Sequence, residues 1–179
     1  MSRLLFEMAS QDFPKSILNA QHKLYRFALK ILGSVQEAED VVQEVFIKVW
    51  EKRWEMDHIL NPEAWCMRMV KNRSLDKLKA KANQAHEAIE SVKKVDRHAK
   101  PDSLAENKDM LKHISRIMDS LPEKQKMCMH LREIEGMSYE EITQALDLSM
   151  DQVKTNLYRA RQKLRRKLNQ LENVGINQG

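Results

Sequence analysis

The segment from Ser149 to Leu168, SMDQVKTNLYRARQKLRRKL, combines a high density of positive charge with a regular apolar spacing. Seven of its residues are Lys or Arg and one is Asp. Such a cluster attracts the phosphate groups of nucleic acids. At the roughly 100° per residue of an α-helix, Val153, Leu157 and Leu164 fall on one side. The segment is therefore predicted to be an amphipathic helix with one buried face and one basic face.

The basic face of this helix carries a hydroxyl, an amide and an aromatic ring as well as charges. It comprises Lys154, Thr155, Tyr158, Arg159, Gln162, Arg165 and Arg166. Such a mixture suits contact with base edges as well as phosphates, whereas a uniform lysine coating suits phosphates alone. Because helices in the major groove read bases with their N-terminal turns, the first four residues are the predicted base readers and the last two the predicted phosphate contacts. The alternatives are a solvated helix that caps a bundle and a basic helix that lies on a membrane surface.

Three capping boxes predict where the helices around this segment begin. In each, a serine accepts from the backbone N–H three residues on, and a Glu or Gln side chain accepts from the N–H of the serine. The pairs are Ser120 with Glu123, Ser138 with Glu141, and Ser149 with Gln152. Pro122 is predicted early in the first of these helices and Gly136 after its end, with a further helix before them around residues 111–118. A short helix over 139–146, a tight turn and the basic helix make a helix-turn-helix.

The net charge of +5 is concentrated in two basic islands. Residues 61–84 hold six Lys or Arg against two acids, and residues 150–179 hold seven against two. A polyanionic partner that is held at two separate places explains this distribution. Two solvated helix faces are the alternative explanation.

The first half of the chain shows three predicted helices. They are a helix over residues 18–32, a helix with a broad apolar face over residues 38–50, and a helix from residue 62 towards residue 81. Gly33 closes the first, and Ser34 with Glu37 forms a capping box at the start of the second. Residues 53–60 break the pattern, and Asn61 followed by Pro62 restarts it.

Composition favours an all-α fold. The 179 residues include only four Gly and four Pro, and Leu, Met, Ala, Glu, Lys and Gln are good helix formers. In the middle of the chain the apolar periodicity fades and Pro101 interrupts any helix, which predicts a linker. We therefore expect two small helical domains, over residues 1–84 and 109–172, joined by a linker over 85–108 and followed by a tail over 173–179.

No residue pattern indicates a membrane span, catalysis or a bound metal. No apolar run approaches about 18 residues, and the N-terminus lacks the pattern of a secretion signal. Cys66 and Cys128 are isolated thiols, which suits a reducing compartment. The six histidines and four glycines form no metal-binding, nucleophile or phosphate-binding motif. We expect a cytoplasmic protein that is not an enzyme and has no metal or other cofactor.

Two parts of the sequence resemble a known protein family. The segment LPEKQKMCMHLREIEGMSYEEITQALDLSMDQVKTNLYRARQKLRRKL is similar to the C-terminal DNA-binding domain of sigma-70 family RNA polymerase sigma factors. In the first half, AEDVVQEVFIKVW and NPEAWCMRMVKNRSLDKLKAK resemble the family's core-binding helix and the following helix, which melts and reads the −10 promoter element. The resemblance covers roughly residues 15–170. With two such domains and no third between them, the chain resembles the extracytoplasmic-function group.

The resemblance implies a transcription initiation factor whose partners are core RNA polymerase and promoter DNA. The basic helix would contact the −35 element. The implied −10 contacts are Arg68, Asn72, Arg73, Lys77 and Lys79, with the second of them at the family's base-reading position. The implied polymerase-binding patch is Asp40, Gln43 and Glu44, joined by Ile47 as an apolar residue on the same side of its helix. Ordinary solvated acids are the alternative for that patch, and no reader of a flipped base is assigned in residues 53–60.

Two rival interpretations stay open from the sequence. A regulator of the response-regulator type shares a helix-turn-helix, but it needs a receiver half with alternating strands and helices, which residues 1–84 lack. A helical adaptor that binds only protein, such as an inhibitor that mimics a sigma factor, would leave the exposed basic face incidental. Members of the extracytoplasmic-function group are commonly held inactive by a membrane-linked anti-sigma factor, and no motif in this sequence identifies such a partner or the promoter sequence.

Overall fold

The computed structural model describes residues 15–88 and 106–176, and these ranges contain helices and no strand. The all-α prediction is therefore confirmed. They form two compact units, the first built on residues 15–88 and the second on most of residues 106–176. The first unit ends in a helix that continues through Ala88, and the second begins with a helix at Glu106, so both ends of the predicted linker are helical. The interior of that linker lies outside the described residues.

Three α-helices and a 3-10 turn form the first unit. They are α1 (Lys15–Leu32), α2 (Val35–Glu51), the 3-10 turn (Arg53–His58) and α3 (Pro62–Ala88). The apolar side of α1 packs against α2 and α3, which also pack against each other. Gly33 adopts a φ of +68° between α1 and α2, and its N–H donates to the Leu29 carbonyl at 2.8 Å. The bundle buries the predicted apolar face of α2 and leaves its acidic face at the surface.

The caps that the sequence predicts for the first unit form in part. Asn61 Oδ1 accepts from the Ala64 N–H at 2.9 Å, so α3 begins at Pro62 as expected. Ser34 Oγ accepts from the Glu37 N–H at 3.5 Å, which is one half of a capping box. The other half is absent, because the Glu37 carboxylate pairs with Lys81 at 2.6 Å instead of returning to the serine N–H.

The second unit consists of four α-helices and one π-helical turn. They are α4 (Glu106–Asp119), α5 (Glu123–Met129), the π turn (His130–Ile134), α6 (Tyr139–Leu146) and α7 (Met150–Ile176). Helices α4 and α5 pack against α7. Gly136 has a φ of +73° and ends the π turn, as its predicted role after a helix requires. Helix α7 runs past residue 173, so the first part of the predicted tail is helical.

The predicted capping box of Ser120 with Glu123 is wrong. Ser120 belongs to the end of α4: its N–H donates to the carbonyls of Arg116 and Ile117, and its Oγ donates to the Ile117 carbonyl at 2.7 Å. Pro122 occupies the N-cap position of α5 and offers no side-chain cap. The serine is therefore engaged by the preceding helix, which the sequence pattern does not reveal.

Cys66 and Cys128 are the only two thiols of the chain, and both are buried. Burial, helped by the Glu63 carboxylate, raises the pKa of the Cys66 thiol to about 12, and burial raises the pKa of Cys128 to about 11.

Because the thiolate is the reactive form, we expect both thiols of the native chain to react at least about a hundredfold more slowly at about pH 8 than those of the unfolded chain. Mass spectrometry after labelling with and without denaturant measures this. One rapidly labelled thiol in the native chain would contradict the burial.

Candidate nucleic-acid interfaces

The helix-turn-helix of the second unit is fixed by hydrogen bonds at the start of each helix. At α6, Ser138 Oγ accepts from the Glu141 N–H at 3.1 Å, and Glu141 Oε2 accepts from the Ser138 N–H at 2.7 Å. At α7, Ser149 Oγ accepts from the Gln152 N–H at 3.2 Å, and Gln152 Oε1 accepts from the Ser149 N–H at 2.9 Å. Asp147 turns the chain between them with a φ of +58°, which Asp tolerates better than most residues. Both predicted capping boxes are confirmed.

Helix α7 divides into a buried and an exposed side. Val153, Leu157 and Ala160 are buried in the core of the second unit, together with Ile142 of α6. The opposite side carries the seven predicted −35 residues. Gln162 is half-buried, and the other six, Lys154, Thr155, Tyr158, Arg159, Arg165 and Arg166, are exposed. The structure therefore brings the predicted base readers together on one solvent-facing surface.

Two further basic residues of α7 are engaged within the second unit. Arg161 donates to Glu133 Oε1 from Nε at 3.1 Å and from Nη2 at 2.6 Å, and it donates to the Tyr139 hydroxyl at 3.4 Å. The hydrogen bonds to Glu133, and to a smaller extent the one to Tyr139, raise the pKa of Arg161. Lys163 Nζ donates to the Ser120 carbonyl at 2.6 Å. Arg161 and Lys163 thus tie α7 to the π turn, to α6 and to the end of α4.

In the first unit, acidic side chains of α2 face basic side chains of α3. The ion pairs are Glu37–Lys81 at 2.6 Å, Asp40–Lys77 at 3.7 Å, Glu44–Lys77 at 3.4 Å and Glu44–Arg73 at 3.7 Å. We call these six residues the α2–α3 ion ladder. The order of the pairs reverses along the two helices, as it must when the helices run antiparallel. Because most of these side chains are well exposed, each pair stabilises the fold by only about 0–1 kcal/mol.

The predicted polymerase-binding patch shares two residues with the ladder. Asp40 and Glu44 are ladder members, whereas Gln43 and Ile47 lie beside them on the exposed side of α2. Ile47 is 52% exposed, which is unusual for an isoleucine in a helix whose other branched apolar residues are mostly buried. The structure therefore brings the four predicted residues to one surface, with an apolar side chain among polar ones.

The five predicted −10 residues lie in two strips on α3. At 100° per residue, Arg68, Asn72 and Lys79 fall within about 40° of one another, and Arg73 and Lys77 lie about 100° or more farther round the helix. Arg73 and Lys77 belong to the ion ladder. The three residues of the first strip are exposed and lie outside the ladder. Asn72 and Arg73 both line a groove of about 200 Å³ between α2 and α3. The predicted set is therefore not one uniform basic face.

The 3-10 turn carries an aromatic surface that the sequence interpretation did not assign. The Arg53 guanidinium lies 4.3 Å from the centroid of the Trp50 ring and 4.7 Å from that of Trp54, and its Nη1 donates to the Trp50 carbonyl at 2.8 Å. Trp54 is 71% exposed and the nearby Leu60 is 99% exposed. An exposed indole beside a cation is a surface on which an unpaired base can stack. In the sequence, this surface corresponds to the spacing W-x-x-R-W over residues 50–54, which could have indicated it.

Metal-binding and membrane-spanning features are absent from the part of the chain that the structure describes. Residues 15–88 and 106–176 contain no group of three or more His, Cys, Asp or Glu side chains that could hold a metal ion. None of the helices there is long and apolar enough to cross a membrane.

The described residues place the chain in a class of protein: all-helical proteins of two units, one of which carries a helix-turn-helix of the kind that binds DNA. Residues 18–84 match the family model described as Sigma-70 region 2, and residues 111–164 match the one described as Sigma-70, region 4. The chain belongs to the sigma-70 family of RNA polymerase sigma factors. Curated relatives that are themselves named extracytoplasmic-function (ECF) sigma factors place it in the ECF group. This family consists of transcription initiation factors. The receiver-containing regulator is thereby excluded, because the first unit matches a sigma region.

Curated relatives carry the same family name. The ECF RNA polymerase sigma factor SigE of Mycolicibacterium smegmatis is 31% identical over 152 residues, which cover 80% of this chain and 56% of that protein. The ECF RNA polymerase sigma-E factor of Escherichia coli is 28% identical over 167 residues, which cover 87% of this chain and 85% of that protein. The chain thus spans little more than half the length of the first relative and most of the second.

Two solved structures share the fold. The sigma factor RpoE from Bartonella quintana, in complex with the anti-sigma factor NepR, has a TM-score of 0.69 and 23% identity, covering 89% of this chain and 98% of RpoE. CnrH, in complex with the cytosolic domain of CnrY, has a TM-score of 0.64 and 22% identity, covering 92% of this chain and 94% of CnrH. At these identities the likeness concerns the fold alone.

Proposed function

We propose that this chain binds core RNA polymerase and directs it to specific promoters, with its first unit at the −10 element and its second unit at the −35 element. The observation that carries the proposal is the exposed polar and basic side of α7. It stands on a helix whose start and buried side are both fixed, in a chain that also holds sigma region 2. A fixed helix with base-reading side chains in solvent is what major-groove recognition requires.

At the −35 element, the N-terminal turns of α7 enter the major groove. Lys154, Thr155, Tyr158 and Arg159 contact base edges, where hydroxyl and guanidinium groups can distinguish one base pair from another. The more distant part of the face, with Gln162, Arg165 and Arg166, holds the phosphate backbone and fixes the register of the helix. Arg161 and Lys163 hold α7 in position through their bonds to the π turn, α6 and the end of α4.

At the −10 element and on the polymerase, the first unit uses α2 and α3. Asp40, Gln43, Glu44 and Ile47 form the docking patch for core polymerase. On α3, Asn72 reads a base, while Arg68, Arg73, Lys77 and Lys79 hold phosphates of the opened strand. Trp54 is an additional candidate for stacking on an unpaired base.

The proposal includes the setting in which the chain works. It acts in the cytoplasm, where polymerase and promoter are found, without catalytic activity or a cofactor of its own. In the solved complex of RpoE, the partner is the anti-sigma factor NepR. By analogy we include an anti-sigma factor among the partners proposed for this chain.

Transcription in vitro tests the proposal directly. Purified chain is added to core polymerase and a library of promoter fragments, and transcripts are mapped for start sites that core polymerase alone ignores. New and discrete start sites are expected, with a shared sequence upstream of them. Unchanged transcription together with no binding to core polymerase would refute the proposal and would favour an adaptor that binds only protein.

A further inference from the structure

The first turn of α7 carries an acid on the side that we propose for the −35 element. Asp151 is the single acidic residue of the segment 149–168, which holds seven Lys or Arg. At 100° per residue it lies about 160° round the helix from the buried Val153 and within about 40° of Thr155 and Tyr158. The residue is exposed. A carboxylate therefore occupies the middle of a surface whose other side chains are basic or neutral.

The polar side chains on either side of Asp151 are engaged within the helix. Ser149 and Gln152 bond to each other's backbone N–H groups in the capping box. Asn156 Nδ2 donates to the Gln152 carbonyl at 2.8 Å. In the part of the chain that the structure describes, the Asp151 carboxylate takes part in no hydrogen bond or ion pair, although Lys154 follows three residues later. Asp151 is therefore a strong acceptor of this turn that remains available to a partner.

We infer that Asp151 is a specificity-determining residue of the −35 surface and selects cytosine at one position. This inference rests on the proposed function and names one base that the surface reads. An ionised carboxylate only accepts hydrogen bonds. In the major groove, cytosine offers the N4 amino group as a donor, whereas guanine offers two acceptors and thymine offers an acceptor and a methyl group. Adenine offers a donor with an acceptor beside it, so cytosine is the best match for the carboxylate.

The carboxylate also acts against incorrect sequences. It repels phosphate groups, so it lowers the sequence-independent attraction that the basic residues of α7 produce. Opposite guanine or thymine it loses water and faces another acceptor, with no hydrogen bond to offset the loss. A −35 element with the matching base pair is therefore expected to bind about 5- to 150-fold more tightly than one with a mismatch at that position.

Stabilisation of α7 is the other role that the position of Asp151 allows. An acid in the first turn of a helix interacts favourably with the unpaired N–H groups there. Glu140 provides a matched control, because it occupies the same second position in α6 and is exposed as well. It lies outside the seven predicted −35 residues. An acid that only stabilises its helix would have similar effects at both positions.

The test measures base preference with the full chain bound to core polymerase. The probe is a library built on a promoter that the chain recognises in vitro, with the −35 region randomised, and the bound duplexes are separated and sequenced. The unsubstituted chain is expected to prefer cytosine at one position about 5- to 150-fold. Asp151→Ala is expected to reduce that preference to less than about twofold and to leave the preferences at the other positions unchanged.

Asp151→Asn gives a second readout with a side chain of nearly the same shape. The amide both donates and accepts, which matches the adjacent N6 and N7 atoms of adenine. The preferred base at the same position is therefore expected to change from cytosine to adenine. Melting curves of all variants show which are folded, and the asparagine variant decides the question if the alanine variant is unstable.

The outcomes separate this inference from the proposed function. Unchanged base preferences in folded Asp151→Asn, or the same change of preference in Glu140→Gln, would overturn the role of Asp151 while the proposed function stands. No recruitment of promoter duplexes by the unsubstituted chain would overturn both. A cytosine preference that is lost in Asp151→Ala, replaced by adenine in Asp151→Asn and kept in Glu140→Gln would establish the role of Asp151.

Discussion

Asp40→Lys combined with Glu44→Lys is expected to abolish binding to core RNA polymerase and to leave binding to a −35 duplex unchanged. Both carboxylates lie on the exposed side of α2 beside Ile47, where the docking patch is proposed. Placing like charges opposite one another in an interface costs several kcal/mol, which lowers affinity by more than about a thousandfold. The proposed −35 surface lies on α7 in the other unit and includes no residue of α2. Fluorescence titration with core polymerase and anisotropy with −35 duplexes measure the two affinities.

This double reversal also sets two lysines against Lys77 and Arg73, so a second variant has to leave the ladder intact. Ile47→Glu does so, because Ile47 lies in the patch but outside the ladder. A charge placed in the centre of the docked surface without a partner is expected to weaken binding by about 2 kcal/mol or more, roughly 30-fold. Circular dichroism and a melting curve show whether each variant is folded.

The matched control for the double reversal is Glu39→Lys. It makes the same change of charge at an exposed position of α2 that belongs neither to the patch nor to the ladder. Normal binding by this control, together with lost binding by folded Ile47→Glu, would support the patch. Core binding that survives both Ile47→Glu and the double reversal would show that the docking face is elsewhere.

The features that the sequence predicted correctly depend on residues close together in the chain. The boxes at Ser138 and Ser149 each link a serine to a side chain three residues on, and both are formed. Gly33 and Gly136 have the positive φ that their places after helices required. In these cases the partner is fixed by local helix geometry, so tertiary packing has little to decide.

The features that the sequence missed depend on a competing partner. Ser120 fits the capping pattern, but the end of α4 already engages its N–H and hydroxyl. Glu37 fits the pattern as well, yet Lys81, 44 positions away along the chain, holds its carboxylate. A pattern of residue types cannot decide between a local partner and a distant one of similar strength. The π turn over His130–Ile134 had no local signal at all.

For the charged site residues too, the sequence does not reveal which side chains have a partner elsewhere in the fold. Arg159 and Arg161 are both exposed arginines of α7, but Arg161 is held by Glu133 and Tyr139. Likewise, among the five predicted −10 residues, Arg73 and Lys77 are the two that acids of α2 face. The composition of a basic helix predicts that it binds a polyanion. Only the packing of neighbouring elements tells which of its charges remain available.

Arg159→Ala is expected to weaken promoter binding by about 1–3 kcal/mol and to relax the choice of base at one position of the −35 element. The guanidinium is exposed in the N-terminal half of α7, on the helix side that carries the seven predicted −35 residues, where a bidentate contact with guanine can form. Loss of such a contact removes the discrimination at one base pair and leaves the other positions unchanged. Binding to a panel of −35 duplexes, each with one substituted base pair, measures both effects.

Two other arginines of the same helix serve as controls, because alanine at each position is expected to change a different measured quantity. Arg166→Ala should weaken binding equally for every duplex and reduce the salt slope by about one, as the loss of a phosphate contact does. Arg161→Ala should lower the melting temperature slightly, since it breaks the bonds to Glu133, and should leave base preference unchanged. If Arg159→Ala behaves like Arg166→Ala, then Arg159 contacts the backbone, and the four predicted base readers of α7 are reduced to Lys154, Thr155 and Tyr158.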